Sequence, residues 1–145
     1  MLRKGGDTRP SGFTLLELLA ALALAGILAG VGATQVAELV ASARLASGAR
    51  TVATLLRLAR GRALKDDAGV QVVFDAAAAT CDLREGAVLL ARHTLPRGVA
   101  FAGLPARSRI LFGGLGNGEN GTIRLAAGAR TRSIVVNQRG RVRLQ

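Results

Sequence analysis

The sequence predicts an α+β fold in which one long N-terminal helix, its first half able to span a membrane, packs on a small antiparallel β domain. Three observations carry this. An apolar run from Phe13 to Ala33 contains only Thr14 and Glu17 as polar residues. Helical periodicity continues beyond that run to about Leu64. From Gly69 onward the pattern changes to short β-type runs separated by Gly, Pro and Asn.

The elements follow in order. Residues 1–12 are short and polar, with Arg3, Lys4 and Arg9 against Asp7. Residues 13–33, at about 1.5 Å per residue, form a helix matching the roughly 30 Å hydrocarbon core. The basic flank stays in the cytoplasm, which sends the C-terminus outward and makes everything after Ala33 extracytoplasmic. Over residues 34–65 the helix continues as an amphipathic segment. Val36, Val40, Ala43, Ala49, Val52, Leu55, Leu56, Ala59 and Ala63 share one face, and Arg44, Arg50, Arg57 and Arg60 fall beside it. Gly26, Gly30, Gly32 and Gly48 each cost about 1 kcal/mol relative to Ala, tolerable where small residues face other helices.

Asp66-Asp67-Ala68-Gly69 ends the helix and opens a β domain over residues 66–145. Strands are expected at Val70–Phe74, Ala87–Thr94, Val99–Ala102, Ile110–Phe112, Thr122–Ala126, Ser133–Val136 and Arg141–Leu144. Ala76–Thr80 and Gly113–Gly121 read as loops.

Composition narrows the function. The 145 residues carry a net charge of +11, almost all of the positive charge from Arg, which favours phosphate, anionic head groups or acidic partners. Cys81 is the single cysteine, so no internal disulfide holds the domain. With four Phe and neither Trp nor Tyr, base stacking on aromatic platforms is largely unavailable. Gly116 to Gly121 fits G-x-G-x-x-G but runs into a strand, where dinucleotide binding needs a helix N-terminus. His93 lacks neighbours at metal-ligand spacing, and the adjacent Asp66 and Asp67 diverge rather than converge on a cation. No catalytic constellation is present, so neither an enzyme nor a cofactor is expected.

Glu17 is the informative residue. A carboxylate in hydrocarbon costs a few kcal/mol and marks function when it persists. An ordinary signal peptide, cut near Ala33, leaves it unexplained. The run Gly12-Phe13-Thr14-Leu15-Leu16-Glu17-Leu18 resembles the class III leader motif of type IV pilins and type II secretion pseudopilins. The resemblance implies that a prepilin peptidase cuts after Gly12 and methylates the new amine of Phe13, that residues 1–12 are a leader, and that Glu17 serves filament assembly. A neighbouring subunit's N-terminal amine is then the partner that makes Glu17 a register device.

Arg109–Phe112, the glycine-rich loop after it, Thr122–Leu125, Arg132–Val136 and Gly140-Arg141-Val142-Arg143 resemble the globular domain of GspH/FimT minor pseudopilins. That resemblance implies a type IV pilin-like fold. It also implies a place at or near the filament tip and, as partners, other minor and major pseudopilins or pilins and an inner-membrane assembly platform. One branch supports protein secretion. Another binds DNA in natural transformation through a Gly-Arg-x-Arg motif, matched here by Gly140, Arg141 and Arg143, with Arg139 beside them. In a strand, Arg141 and Arg143 share one face while Val142 and Leu144 point to the core. From Arg92 to Gln145 there are ten Arg and one acid, Glu119, a surface attractive to a phosphate backbone. Arginines on an edge strand also block edge-to-edge aggregation. A plain membrane-anchored periplasmic protein is the remaining alternative.

Overall fold

The computed structural model describes residues 13–145 and, at 31–34, the backbone alone. Gly12 lies outside the described residues. Helix α1 spans Leu15–Asp66, within two residues of expectation at each end. Thr14 caps its start: the Thr14 Oγ1 accepts from the Glu17 backbone N–H at 3.2 Å, satisfying one of the free donors of the first turn. The end is closed by Asp67 in the left-handed region, φ 45°, while the Ala68 N–H reaches back to the Ala63 carbonyl.

The described residues divide into two compact units, 13–37 and 38–145. In the first, every residue from Phe13 to Gly30 is exposed, the leucines and isoleucine included. The second contains the remainder of α1 and eight strands: β1 (Val70–Asp75), β2 (Thr80–Glu85), β3 (Val88–Thr94), β4 (Ala100–Gly103), β5 (Arg109–Phe112), β6 (Gly121–Ala127), β7 (Arg130–Val136) and β8 (Val142–Leu144). They form two four-stranded sheets, ordered β3-β2-β1-β5 and β4-β6-β7-β8, with all neighbours antiparallel.

One core joins helix and sheets. Leu45, Ala49, Val52, Leu56, Ala59 and Ala63 recur every three or four residues and are all buried, so a single stripe of α1 faces inward. Against it lie Val70, Val72, Phe74, Cys81, Leu83, Ile110 and Phe112 from the first sheet, and Ile123, Leu125, Ile134 and Val136 from the second. Small residues let the layers approach. A Cβ on Gly48 would stand 3.3 Å from Pro96 Cδ, so a larger residue would push the β3–β4 connection away.

Three expectations need correction. Thr80–Glu85 is a strand, where Thr80 is expected in a loop and no strand is expected before Ala87: Cys81 and Leu83 enter the core while Asp82 is covered by Arg84 and Arg92. Val36, Val40 and Ala43 are exposed, so the buried stripe begins at Leu45. Leu144 is 37 % exposed, because β8 is the edge of its sheet and only Val142 packs against the core.

Candidate functional sites: the helix N-terminus and the C-terminal arginine hairpin

At the first site, Thr14-Leu15-Leu16-Glu17 places a carboxylate three residues after the cap, where it complements the positive end of the helix dipole. Phe13 and Glu17 are both exposed. Glu17 lies four residues, about 6 Å along the axis, from Phe13.

The second site is built by the β7–β8 hairpin. Its register pairs Val136 with Val142, Val135 with Arg143 and Ile134 with Leu144. Asn137 to Gly140 forms the turn: the Gly140 N–H donates to the Asn137 carbonyl at 2.8 Å, and the Arg141 N–H donates to Asn137 Oδ1 at 2.9 Å. Gly140 has φ 69°, as a tight hairpin turn of this kind requires. Arg143 sits opposite Val135, on the sheet face away from Ile134 and Val136, and Arg139, Arg141 and Arg143 are all exposed.

Gly140 itself is buried. A Cβ there would collide with the Gly116 carbonyl oxygen and stand 2.8 Å from Arg60 Nε. Arg60 Nε donates to that same Gly116 carbonyl at 3.0 Å, and the Gly118 N–H donates to the Gln138 carbonyl at 3.0 Å. The motif's glycine thus lets the hairpin tip seat on the glycine-rich loop and on α1. The sequence singled out Gly140 beside its arginines; Arg60, 56 residues from Gly116, belongs to the same junction and carried no local signal.

Ion pairing sorts the arginines into two kinds. Asp82 binds Arg92 through two hydrogen bonds, at 2.7 and 2.8 Å, and Arg84 at 3.2 Å. The Arg92 hydrogen bonds, with help from Arg84 and against the cost of burial, lower the Asp82 pKa to about 2. Arg62 meets Asp66 and Glu85, Arg107 meets Glu119, and Arg130 meets Glu38 at the end of β7 remote from the turn. Arg109 bonds Gln71. Among the described residues no carboxylate pairs with Arg57, Arg60, Arg139, Arg141 or Arg143, nor with Arg44, Arg50, Arg97, Arg124 or Arg132 elsewhere.

The remaining candidates are structural. Burial, and secondarily Asp82, pushes the Cys81 thiol up to about 11, which keeps it a protonated core residue. His93 is an exposed residue of edge strand β3. Among the described residues no cluster of His, Cys, Asp and Glu is suited to hold a metal ion.

Comparison with protein families finds two matches. The family described as Type II transport protein GspH covers residues 48–140, and the Prokaryotic N-terminal methylation motif covers residues 8–33. Comparison with curated proteins finds no match. Among solved structures, the type IV minor pilin FimU of Pseudomonas aeruginosa is 18 % identical, with a TM-score of 0.59 over 70 % of this chain and 87 % of that one. The minor pseudopilin EpsH from the Type 2 Secretion System of Vibrio cholerae is 14 % identical, with a TM-score of 0.59 over 70 % of this chain and 96 % of that one. Both share the fold: a long N-terminal helix on a small antiparallel β domain.

Proposed function

We propose a function from one premise: the chain belongs to the GspH family of type II transport proteins, whose pattern matches more than half of it. It is a structural subunit, a minor pseudopilin of a type II secretion or type IV pilus-like system, and not an enzyme. In our reading a prepilin peptidase cuts after Gly12 and methylates Phe13. The mature chain waits in the inner membrane with residues 66–145 in the periplasm. An inner-membrane assembly platform then moves it into a filament of minor and major pseudopilins or pilins, at or near the tip, where it supports protein secretion.

The observation that supports this most is the exposed apolar half of α1, headed by a capped turn that carries Glu17. Such a surface is stable in hydrocarbon and afterwards against other helices. Glu17 then pairs with the amine of a neighbouring Phe13, so that a subunit at the wrong axial offset leaves a charge buried without a partner.

Two variants test this role against simple helix capping. Glu17→Ala should insert and be cleaved normally yet fail to join filaments. Glu17→Gln keeps a capping-box side chain but loses the charge. Incorporation of Glu17→Gln at the wild-type level, scored by co-purification with partner subunits, would show that capping and not charge pairing is what Glu17 supplies.

A second reading is favoured by the unpaired arginines of the hairpin. Arg139, Arg141 and Arg143 are exposed and free of carboxylate partners among the described residues, and Gly140 fixes their turn. In this reading the hairpin holds the phosphate backbone of DNA, without sequence preference, during natural transformation.

A further inference from the structure

The hairpin does not end at its own strands. Between α1 and the turn lies a cleft of about 280 Å³, lined by Arg57, Arg60, Gly61 and Leu64 of the helix and by Gly140, Arg141 and Val142 of the hairpin. We propose that Arg57 and Arg60 extend the arginine hairpin onto the helix, forming with Arg141 one anion-binding cleft whose ligand is the phosphodiester backbone of nucleic acid. This rests on the second reading above and extends it from the C-terminal strand to the helix.

Four observations carry the assignment. The first is charge: three arginines border one cleft, and among the described residues none of them meets a carboxylate, whereas Arg62, one residue beyond Gly61, is tied to both Asp66 and Glu85. Cations gathered without compensation at one cleft raise the local potential and attract an external anion. The second is space. Gly61 has nothing within 4 Å of where a Cβ would stand, and Gly140 carries no side chain to fill the cleft. The third is preorganisation: Arg60 is anchored through Nε to the Gly116 carbonyl, and its terminal nitrogens make no hydrogen bond among the described residues. A guanidinium held at one edge presents the other to an oxyanion at reduced entropic cost.

The fourth is repetition. Arg57 and Arg60 stand three residues apart on one side of the helix, and Arg141 borders the same cleft from the hairpin. Cations repeated along a helix and met by another from the hairpin suit a ligand whose charge is itself repeated. With four Phe and no Trp or Tyr in the chain, such a ligand would be held by its backbone and not by its bases.

The test uses the full chain in non-ionic detergent micelles and a labelled duplex oligonucleotide of mixed sequence, titrated between about 50 and 200 mM salt. Three double variants are compared: Arg57→Ala with Arg60→Ala, Arg141→Ala with Arg143→Ala, and Arg44→Ala with Arg97→Ala. The last pair is a control of equal charge: both arginines are exposed and unpaired among the described residues, and Arg97 lies in the loop that packs on Gly48. Gly48 is twelve residues, about 18 Å, along the helix from Arg60. Each phosphate contact removed flattens the log–log salt dependence by about 0.9. The helix pair and the hairpin pair should therefore each flatten it by nearly two units, and the control by clearly less. Because Arg60→Ala also removes a bond to the loop, Arg57→Ala is measured alone and should flatten the slope by about 0.9 with an unchanged unfolding midpoint.

A helix pair that behaves like the control, beside a hairpin pair that loses affinity, overturns the cleft and leaves the hairpin reading standing. A silent Arg57→Ala beside a double variant with a lowered midpoint overturns it too, since the loss is then structural. Equal losses from all three pairs, or no binding by the wild type, overturn both readings.

Discussion

The two halves of α1 are built from much the same apolar residues and live in opposite surroundings. From Leu15 to Leu28 every leucine and the isoleucine are exposed, and no arginine interrupts them. From Leu45 to Ala63 the apolar residues that recur every three or four positions are buried, and arginines occupy the positions beside them. A helix apolar all round needs an apolar environment on every side, whereas a helix apolar along one stripe needs only its own domain. The first half is thus committed to lipid and to other subunits. The second half is committed to the β domain.

The largest effect expected from breaking this contrast is in the striped half. Leu56 is wholly buried, so Leu56→Ala should lower the stability of the β domain by about 2–5 kcal/mol, measured by denaturant unfolding in detergent. Gly140→Ala comes next, at about 2–3 kcal/mol. The added Cβ meets the Gly116 carbonyl and the left-handed φ is strained for alanine. Gly128→Ala, also at positive φ but in open space, should cost only about 1 kcal/mol.

Asp82→Asn should cost about 1–2 kcal/mol, because charge-assisted hydrogen bonds are lost while Arg92 stays hydrated. Its signature is in the pH dependence. The Asp82 carboxyl lies near pKa 2 in the folded chain and about 3.9 when unfolded, so its contribution is complete above about pH 4 and is lost as pH falls through 2. The acid limb of stability in that window should flatten in Asp82→Asn. Smallest of all is Leu22→Ala in the exposed half, within about 0.5 kcal/mol for the β domain. A large loss there would erase the contrast between the halves.

Much of this was legible in the sequence where the signal is periodic. The helix ends, the strands from Val70, Val88, Ile110 and Thr122, and the turn at Asn137–Gly140 all follow from hydrophobic period and turn chemistry. Strand β2 was not, because Thr80–Glu85 puts three charged residues in six and no β-branched apolar one. The alternation of Cys81 and Leu83 with Asp82 and Arg84 was its one available trace. Leu144 was misplaced because alternation gives the face of a strand but not whether that strand is an edge. The junction of Arg60, Gly116 and Gly140 depends on residues distant in the chain, and only the folded arrangement brings them together.

The proposed role of α1 requires that its exposed half remain in the mature protein, behind a methylated Phe13. Intact mass spectrometry of the chain purified from membranes measures this directly. The expected protein begins at Phe13, carries one added methyl group on its terminal amine and retains the whole apolar segment. A mature chain that begins near Thr34 would mean that the segment is an ordinary signal peptide, discarded after export, and would contradict that role.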